Sequence, residues 1–279
     1  MQLSIAIPAS LVSEVPHLRE KTSRLGMVGR ALAIFRISEV IVYLDKHNSS
    51  QHRDMGLISA ILGYMETPQY LRKHLFPKIP ELKYAGILPP LRTPHHPLTK
   101  RIADLENGEW REGVVIKTGV KTLVDIGVEH PISLNERNLS LWQRITVRIH
   151  KNRNKIKLKI AEEQHVKNMY WGYRLNASGL SLGQIMRSGT FDLIMLTSRY
   201  GKPLTEAFGE LKSRWKKAKK ILIAFGSPKQ GLREILAREG LEMGGFGALV
   251  INTVPSQGVK TIRTEEAIYA TLSVINAIL

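Results

Sequence analysis

Two glycine-containing loops in the last third of the chain hold the residues best placed to bind a small ligand. Apolar runs at 221–225 and 248–251 are predicted strands, and each leads into a loop, 226–231 after the first and 252–258 after the second. Helix-forming sequence follows both loops. Ligands in open α/β sheets bind outside the carboxyl ends of the strands, which is where such loops lie. The pattern therefore predicts a pocket built by both loops.

The composition of these loops excludes the commonest phosphate-binding motifs. Residues 226–231 lack the Gly-Lys-Ser/Thr ending of a P-loop, and neither loop contains the spacing G-x-G-x-x-G. A nucleoside triphosphate or a dinucleotide is therefore disfavoured. Pro228 and Pro255 fix φ and stiffen the loops, which favours a site made of backbone amides and carbonyls. A single loop of this kind is more simply an ordinary βα turn, but two such loops after apolar strands favour a cofactor site.

The elements that must position these loops alternate between strand and helix. Strand, helix and strand patterns at 3–7, 18–35 and 39–44 open the chain, with a break in the helix expected near Gly26, and a helical apolar periodicity follows at 53–65. The same alternation resumes at about residue 170 and continues to the last helix. This pattern is typical of an α/β fold with a mostly parallel sheet.

A proline-rich segment at 89–97 interrupts that alternation. Five short runs between 114 and 160 alternate in polarity and are joined by tight turns, with no room for crossover helices. They predict a small antiparallel β-barrel of the OB type, inserted into the α/β domain. The expected division is a discontinuous α/β domain at 1–92 and 166–279, with the barrel at 93–165.

The charge of the chain indicates a polyanionic partner. Its 279 residues include 41 Lys and Arg against 24 Asp and Glu, a formal net charge of +17, and such a field attracts nucleic acid before any specific contact forms. RNA or DNA is the leading partner class, and an anionic membrane surface is the competing one. No apolar run reaches the ~20 residues of a membrane-spanning helix, and the N-terminal sequence has no basic n-region. We therefore expect a cytoplasmic protein without a membrane partner.

Metal chemistry is not expected. The chain contains no cysteine, which removes disulfides, thiolate nucleophiles and thiolate zinc ligands. His95 and His96 are adjacent in a segment with flanking prolines, which predicts an extended loop. Adjacent residues on a regular element cannot offer both imidazoles to one metal, so the sequence predicts no metal site.

The predicted barrel has one apolar and one cationic face, because apolar residues alternate with polar or basic ones along 144–150 and 155–160. A turn at 151–154 would place like charges opposite each other, which is destabilising. This face is therefore predicted to meet phosphate groups, and a merely soluble strand edge is the alternative. The expected pairs are His150 with Lys155, Arg148 with Lys157, and Thr146 with Lys159. The candidate RNA contacts are Arg144, Arg148, Lys155, Lys157 and Lys159.

Other aromatic and basic residues receive structural interpretations. Trp110 and Trp142 are expected in the core of the barrel, with base stacking as the alternative. The basic run at 212–220 matches a solvated helix end, since cations favour helix C-termini.

Four segments of the chain form a recognisable set: 21–31 (KTSRLGMVGRA), 88–96 (LPPLRTPHH), 225–231 (FGSPKQG) and 252–267 (NTVPSQGVKTIRTEEA). They resemble segments of the SPOUT superfamily, the trefoil-knotted α/β methyltransferases, and within it the archaeal and eukaryotic branch with an inserted OB-like barrel. The similarity spans essentially the whole chain, and the last two segments are its most specific part. It implies a homodimer and a C-terminal trefoil knot, in which the helix from Glu265 is threaded through an earlier loop.

By the same resemblance, the knot binds S-adenosylmethionine through backbone groups of its walls. The implied cofactor-binding residues are Leu196, Thr197, Phe225, Gly226, Ile251, Asn252, Pro255, Gly258 and Thr261. Arg30, which would reach the partner's site, and Arg263 are the implied catalytic residues or RNA contacts. The structural alternatives are a salt bridge of Arg30 along its own helix and packing of Arg263 against Glu265 or Glu266. No residue is identified as a general base.

The resemblance thus implies an S-adenosylmethionine-dependent RNA methyltransferase that modifies a base of ribosomal RNA, with the barrel guiding the RNA. Two alternatives stay open at this level: a non-catalytic RNA-binding or ribosome-assembly factor, and a protein methyltransferase acting on arginine. Binding of the cofactor separates the first alternative from the enzyme, and the chemical nature of the methylated product separates the second.

Overall fold

The computed structural model describes residues 1–46, 49–136, 138–152, 155–161 and 169–279. The chain divides into two compact units. The first, here called the parallel unit, comprises Met1–Gly63, Glu81–Pro89 and Tyr173–Leu279, and the second, the antiparallel unit, comprises Tyr64–Pro80 and Pro90–Gly172. The predicted limits of the insertion, 93 and 165, stay a prediction, and residue 165 lies outside the described residues.

The predicted strands and helices occur, with shifted ends. The strands of the described residues are β1 (Gln2–Pro8), β2 (Glu39–Tyr43), β3 (Trp110–Lys117), β4 (Thr122–Asp125), β5 (Ile132–Leu134), β6 (Arg144–Asn152), β7 (Lys155–Ile160), β8 (Arg174–Asn176), β9 (Leu193–Pro203), β10 (Lys220–Ala224) and β11 (Leu249–Asn252). The α-helices in the same described ranges are α1 (Leu18–Ile34), α2 (Ser49–Glu66), α3 (Gln69–Leu75), α4 (Leu182–Arg187), α5 (Leu204–Lys217), α6 (Leu232–Ala237) and α7 (Thr264–Ile278).

The parallel unit contains a six-stranded sheet in the order β11-β9-β10-β1-β2-β8. Every neighbouring pair in it is parallel. Strand β1 is buried from residue 4 to residue 8 and β2 is buried throughout, as continuous runs in parallel sheets usually are. The prediction of an α/β fold with a mostly parallel sheet is confirmed.

Helix α1 continues through Gly26, so the break predicted there is wrong. A Cβ at position 26 would lie 3.0 Å from Pro89 Cδ and 3.2 Å from Leu88 Cδ2. Glycine therefore permits close packing of α1 on the segment at 88–89. Its unfavourable helix propensity, about 1 kcal/mol relative to Ala, is too small to interrupt a helix of this length.

The antiparallel unit contains a five-stranded sheet in the order β5-β4-β3-β6-β7. Its edge strands β5 and β7 contact each other, so the sheet nearly closes into a barrel. Aliphatic side chains fill the interior, among them Val115, Val124, Ile126, Val147 and Ile149, each 0% exposed. The structure thus contains the predicted barrel-like antiparallel sheet.

The pairing predicted between β6 and β7 is wrong by two residues. Arg148 lies opposite Lys159 and His150 opposite Lys157, because β6 extends to Asn152 and leaves a shorter connection than the predicted turn. A shift of two residues keeps every side chain on its predicted face, since strand side chains alternate with a period of two. Like charges therefore still lie opposite each other.

The expectation that Trp110 and Trp142 lie in the barrel core is wrong. Trp142 is 48% exposed, has φ 65°, and stacks on His74 with ring centroids 5.5 Å apart. Trp110 is half-buried at the start of β3, opposite Arg148. Aliphatic residues at alternate strand positions already fill the interior, so the indole rings stay at its surface.

Candidate functional site

A cavity of about 470 Å³ opens at the carboxyl ends of β9, β10 and β11 in the parallel unit. Its walls come from residues 197–200 in β9, residues 225–234 after β10, several residues of the segment 252–257 after β11, and the start of α7 with the residues just before it. Ligands of parallel sheets usually bind at this edge. The two loops singled out in the sequence therefore lie around one cavity.

One wall of the cavity comes from an irregularity in β9. Val250 of β11 lies opposite Leu196, but the next residue, Ile251, lies opposite Lys202. Residues 197–201, here called the β9 excursion, thus leave the regular ladder and return to it. A bulge of this kind redirects side chains and is common beside functional sites.

The β9 excursion is held by hydrogen bonds and by a close approach at its end. The hydrogen bonds run from Thr197 Oγ1 to Ala224 O (2.8 Å), from Asn252 Nδ2 to Arg199 O (2.8 Å), and from Arg199 Nη1 to Lys260 O (2.6 Å). A Cβ at Gly201 would lie 2.8 Å from the backbone of Ile251. Glycine is therefore required where the excursion rejoins the sheet.

The loop after β10 closes on itself. Ser227 N–H donates to Gln230 O (2.9 Å), and Gln230 N–H donates to Ser227 Oγ (3.1 Å). A Cβ at Gly226 would lie 3.1 Å from Gln230 O and 3.4 Å from Gly231 Cα. A larger residue at position 226 would therefore push these backbone groups apart and change the shape of the cavity.

Helix α7 is tied to both loops. Thr264 Oγ1 donates to Gly226 O (3.0 Å), and the hydroxyls of Thr253 and Thr271 lie 2.8 Å apart. At the start of the helix, Arg263 N–H donates to Glu266 Oε2 (2.9 Å), which satisfies one of the backbone groups that a helix leaves open there. The first turns of α7 thus form a fixed part of the cavity wall.

Some of the predicted cofactor-binding residues line the cavity and others do not. Those that line it are Thr197, Phe225, Gly226, Asn252 and Thr261. Leu196 and Ile251 have buried side chains inside the sheet, and Pro255 and Gly258 are absent from the described wall. Sequence reasoning missed the lining residues Arg199, Tyr200 and Gln230. The register shift between β11 and β9 brings the first two to the cavity, and the sequence of residues 197–201 alone does not indicate it.

Cations outnumber carboxylates on the described wall. Arg199, Lys229 and Arg233 are cationic, and Glu234 is the acidic residue among them. The side-chain oxygen of Gln230, Oε1, is buried and has no hydrogen-bond partner among the described residues. Buried acceptors are normally paired, so this oxygen is open to a donor from a ligand or from water.

The two candidate catalytic arginines lie on α1 and just before α7. Arg263 is exposed, and its neighbours Ile262 and Thr264 line the cavity. Arg30 lies near Tyr269 of α7, whose pKa is raised by burial and lowered in part by the Arg30 charge. Neither arginine belongs to the described cavity wall, so the structure of one chain does not bring them to it.

A second candidate site is the exposed face of β6 and β7, here called the cationic face. Its members alternate with inward-directed residues and are exposed: Arg148, His150, Lys155, Lys157 and Lys159. Arg148 lies between Trp110 and Lys159 in the sheet, and its guanidinium carbon is 5.3 Å from the centroid of the Trp110 ring. Cations beside an aromatic ring can contact both phosphates and bases.

Arg144 lies apart from the cationic face, although the sequence predicts an RNA contact there. Its guanidinium donates to both carboxylate oxygens of Glu66 (2.6 and 3.0 Å) and to Glu112 Oε2 (2.6 Å). Burial would raise the pKa of Glu66, but hydrogen bonds from His95 and Arg144 lower that pKa to about 2. Two carboxylates already neutralise Arg144, so the structure assigns it to an ion-pair cluster.

The histidine pair belongs to the same cluster. His95 is fully buried, and its Nε2 lies 2.9 Å from Glu66 O and 3.3 Å from Glu66 Oε1. His96 Nε2 lies 2.7 Å from the same carbonyl oxygen. Burial and the neighbouring His95 lower the pKa of His96 to about 4. We call Glu66, His95, His96, Glu112 and Arg144 the Glu66 cluster.

Within the described residues, no group of three or more His, Asp or Glu side chains could hold a metal ion. In the same parts of the chain, no helix combines the length and the apolar character needed to cross a bilayer.

Comparison with known proteins matches almost the whole chain to one family. Residues 2–275 match the family model described as "Putative RNA methyltransferase". An uncharacterized protein of Halobacterium salinarum is 34% identical, and one of Haloarcula marismortui is 32% identical, each over 98% of both chains. The mouse protein named 28S rRNA (uridine-N(3))-methyltransferase is 32% identical over 98% of this chain and 75% of its own length.

Proposed function

This chain belongs to the RNA methyltransferase family matched above, and we propose that it transfers a methyl group from S-adenosylmethionine to a uridine base of ribosomal RNA. The observation that carries the proposal is the cavity at the carboxyl ends of β9, β10 and β11, in a chain that matches this family from residue 2 to residue 275. The name of the mouse relative supports ribosomal RNA as the substrate and N3 of uridine as the acceptor.

The cavity suits S-adenosylmethionine in size and in chemistry. Its volume of about 470 Å³ falls within the roughly 300–1,000 Å³ of small-molecule sites. The unpartnered Gln230 Oε1 offers an acceptor for a donor group of the cofactor. When bound, S-adenosylmethionine supplies an electrophilic methyl group on its sulfonium. The residues that would hold it are Thr197, Phe225, Gly226, Gln230, Asn252 and Thr261.

Methyl transfer to a base asks the protein mainly for orientation and for the handling of one proton. N3 of uridine carries a proton, which would pass to water as the nitrogen takes the methyl group and S-adenosylhomocysteine leaves. Arg199, Lys229 and Arg233 line the cavity, and nearby cations favour the deprotonated form of an acidic group. The charge of Lys229 is partly offset by Glu14, whose Oε1 lies 3.5 Å from its Nζ. We assign to these side chains the electrostatic support of that deprotonation.

The finer features of the SPOUT resemblance belong to the same proposal: a C-terminal trefoil knot, a homodimer, an OB-like insertion at 93–165, a cytoplasmic location, and roles in RNA contact or catalysis for Arg30 and Arg263. The hydrogen bonds of Thr264 with Gly226 and of Arg199 with Lys260 support a knot, since they join the start of α7 to earlier loops. Met27 and Ile34 of α1 are 45% and 49% exposed. A second copy would cover this apolar surface and bring Arg30 towards the partner's cavity.

The cationic face is the proposed guide for RNA. Arg148 and Lys159 lie opposite each other, and a phosphate group between these two cations would relieve their repulsion. Most protein–nucleic acid hydrogen bonds go to phosphate and sugar, and they position the partner without reading its sequence. We therefore assign docking of the RNA to the cationic face and selection of the target base to the cavity.

Calorimetry and transfer of a labelled methyl group test the proposal. We expect saturable binding of S-adenosylmethionine and transfer of its tritiated methyl group to unmodified large-subunit ribosomal RNA transcribed in vitro. The labelled product should be sensitive to RNase and resistant to protease. Absence of cofactor binding at high micromolar concentration would instead favour a non-catalytic RNA-binding factor, and protease-sensitive label would favour a protein methyltransferase.

A further inference from the structure

The β9 excursion presents an aromatic ring at the edge of the cavity. Tyr200 lines the cavity, yet the residue is 70% exposed. Phe225, the other aromatic residue of the described wall, is 1% exposed. The cavity thus has one aromatic ring buried in its wall and one directed to solvent at its mouth.

Arg199 restrains this exposed ring. Its guanidinium carbon lies 4.6 Å from the centroid of the Tyr200 ring, and Arg199 Nη2 donates to the Tyr200 hydroxyl. The same guanidinium donates to Lys260 O (2.6 Å), and the Arg199 carbonyl accepts from Asn252 Nδ2 (2.8 Å). Because these contacts anchor the pair to segments outside the excursion, the ring loses little freedom when a ligand binds it.

An anchored aromatic ring beside a guanidinium is a combination that binds unpaired bases. Bases stack on aromatic side chains through their π faces, and arginine adds cation–π and phosphate contacts. A polymeric acceptor must enter the cavity from its solvent side, where Tyr200 lies. The methyl donor is expected deeper, next to Phe225 and Gly226.

We propose that Tyr200, held by Arg199, stacks on a base of the RNA substrate at the mouth of the cavity. This inference rests on the proposed function, because it assumes that the cavity holds the methyl donor and that RNA is the acceptor. It makes Tyr200 a substrate-contacting residue and Arg199 the residue that positions it.

The test compares Tyr200→Ala with Tyr200→Phe, which keeps the ring, and with Phe246→Ala, which removes another exposed ring of the parallel unit (51% exposed). The probes are S-adenosylmethionine in calorimetry and unmodified large-subunit ribosomal RNA transcribed in vitro in steady-state kinetics. In Tyr200→Ala we expect KM for RNA to rise about tenfold and the Kd for S-adenosylmethionine to stay unchanged. Tyr200→Phe keeps the stacking ring but loses the hydrogen bond from Arg199 Nη2, so its KM for RNA should lie between the values of the wild type and Tyr200→Ala. Phe246→Ala should leave KM unchanged.

An unchanged KM for RNA in Tyr200→Ala would overturn the proposal. A higher Kd for S-adenosylmethionine in Tyr200→Ala, but not in Tyr200→Phe, would also overturn it, because the ring would then bind the cofactor. If the wild type neither binds S-adenosylmethionine nor methylates RNA, the proposed function fails. RNA binding measured by fluorescence anisotropy then still decides the stacking role, with weaker binding expected for Tyr200→Ala and equal binding contradicting it.

Discussion

The cavity of the parallel unit and the cationic face of the antiparallel unit differ in the groups that form them. Loop backbone shapes the cavity: Gly226 lies against Gln230 O and accepts a hydrogen bond from Thr264. Exposed side chains on regular strands make the cationic face. A site shaped by backbone is sensitive to added volume and little affected by salt, whereas a charged face has the opposite properties. The first suits a small cofactor of fixed shape, and the second suits a long polyanion.

The largest effect is expected from Arg144→Ala, which tests where the cationic face ends. The substitution leaves Glu66 and Glu112 without their shared cation, and removing one partner of a largely buried ion pair destabilises by about 3 kcal/mol. We expect a loss of this size in the free energy of unfolding of the antiparallel unit, measured by urea denaturation. Arg148→Ala, on the exposed face, is the control and should change stability by less than about 0.5 kcal/mol. Weaker RNA binding by Arg144→Ala at unchanged stability would show instead that Arg144 contacts RNA as part of the cationic face.

The next largest effect is expected from Gly226→Val, which tests whether backbone shape governs the cavity. The added side chain collides with Gln230 O, and overpacking of this kind costs about 1–3 kcal/mol. The Kd for S-adenosylmethionine, measured by calorimetry, should therefore rise about 10- to 100-fold, with RNA affinity unchanged. Gly209→Ala is the matched control, because a Cβ there meets nothing within 4 Å. Cofactor binding at wild-type strength in Gly226→Val would show that the loop is not part of the site.

A smaller effect is expected when charge is removed from the cationic face. Replacing Arg148, Lys157 and Lys159 by Ser should weaken RNA binding about tenfold and reduce the slope of log K against log salt by about 2, because each phosphate contact with a single strand contributes ~0.7. The cofactor Kd should not change. The matched control replaces Lys216, Lys217 and Lys219, which are exposed around the end of α5. An equal loss of RNA affinity in both triple variants would mean that net charge, and not the face, determines binding.

The smallest effect is expected from mild acid, acting on the Glu66 cluster. The folded pKa of His96 is lowered from 6.5 to about 4, so the unfolded chain binds this proton first and stability falls as pH decreases from 6.5 towards 4. The folded pKa of Glu66 is lowered from 4.5 to about 2, which extends the loss below pH 4.5. We expect the Tm of the antiparallel unit to be lower at pH 5 than at pH 7, and His96→Gln to reduce that difference. A Tm that rises with acid would contradict the burial of a neutral imidazole.

The cationic face could be predicted from sequence because its signal is local. Alternation along β6 and β7 determines which side chains share a face, and an error of two residues in register did not change that set. The loops around the cavity could also be predicted from sequence. Each follows an apolar strand, begins with Gly or Asn, and is followed by a helix. The helix break predicted at Gly26 was wrong because the reason for that glycine is its packing against Pro89, a contact between distant residues.

The features that the sequence could not predict depend on contacts between residues that are far apart in the chain. The β9 excursion exists because Ile251 pairs with Lys202, and no property of residues 197–201 alone indicates that they leave the sheet and carry Tyr200 to the cavity. In the sequence, Arg144 matches the alternating basic pattern of β6. In the structure it pairs with Glu66, which is 78 residues away in the chain. His95, which is fully buried, also contacts Glu66, 29 residues away in the chain.

Nucleoside mass spectrometry tests most directly whether the cavity directs methyl transfer to a uridine. Unmodified large-subunit ribosomal RNA transcribed in vitro is incubated with the wild-type protein and with S-adenosylmethionine carrying a deuterated methyl group, and is then digested to nucleosides. We predict deuterated N3-methyluridine with the wild type and its loss with Gly226→Val. A deuterated methyl group on a different nucleoside, or on protein alone, would contradict the assignment.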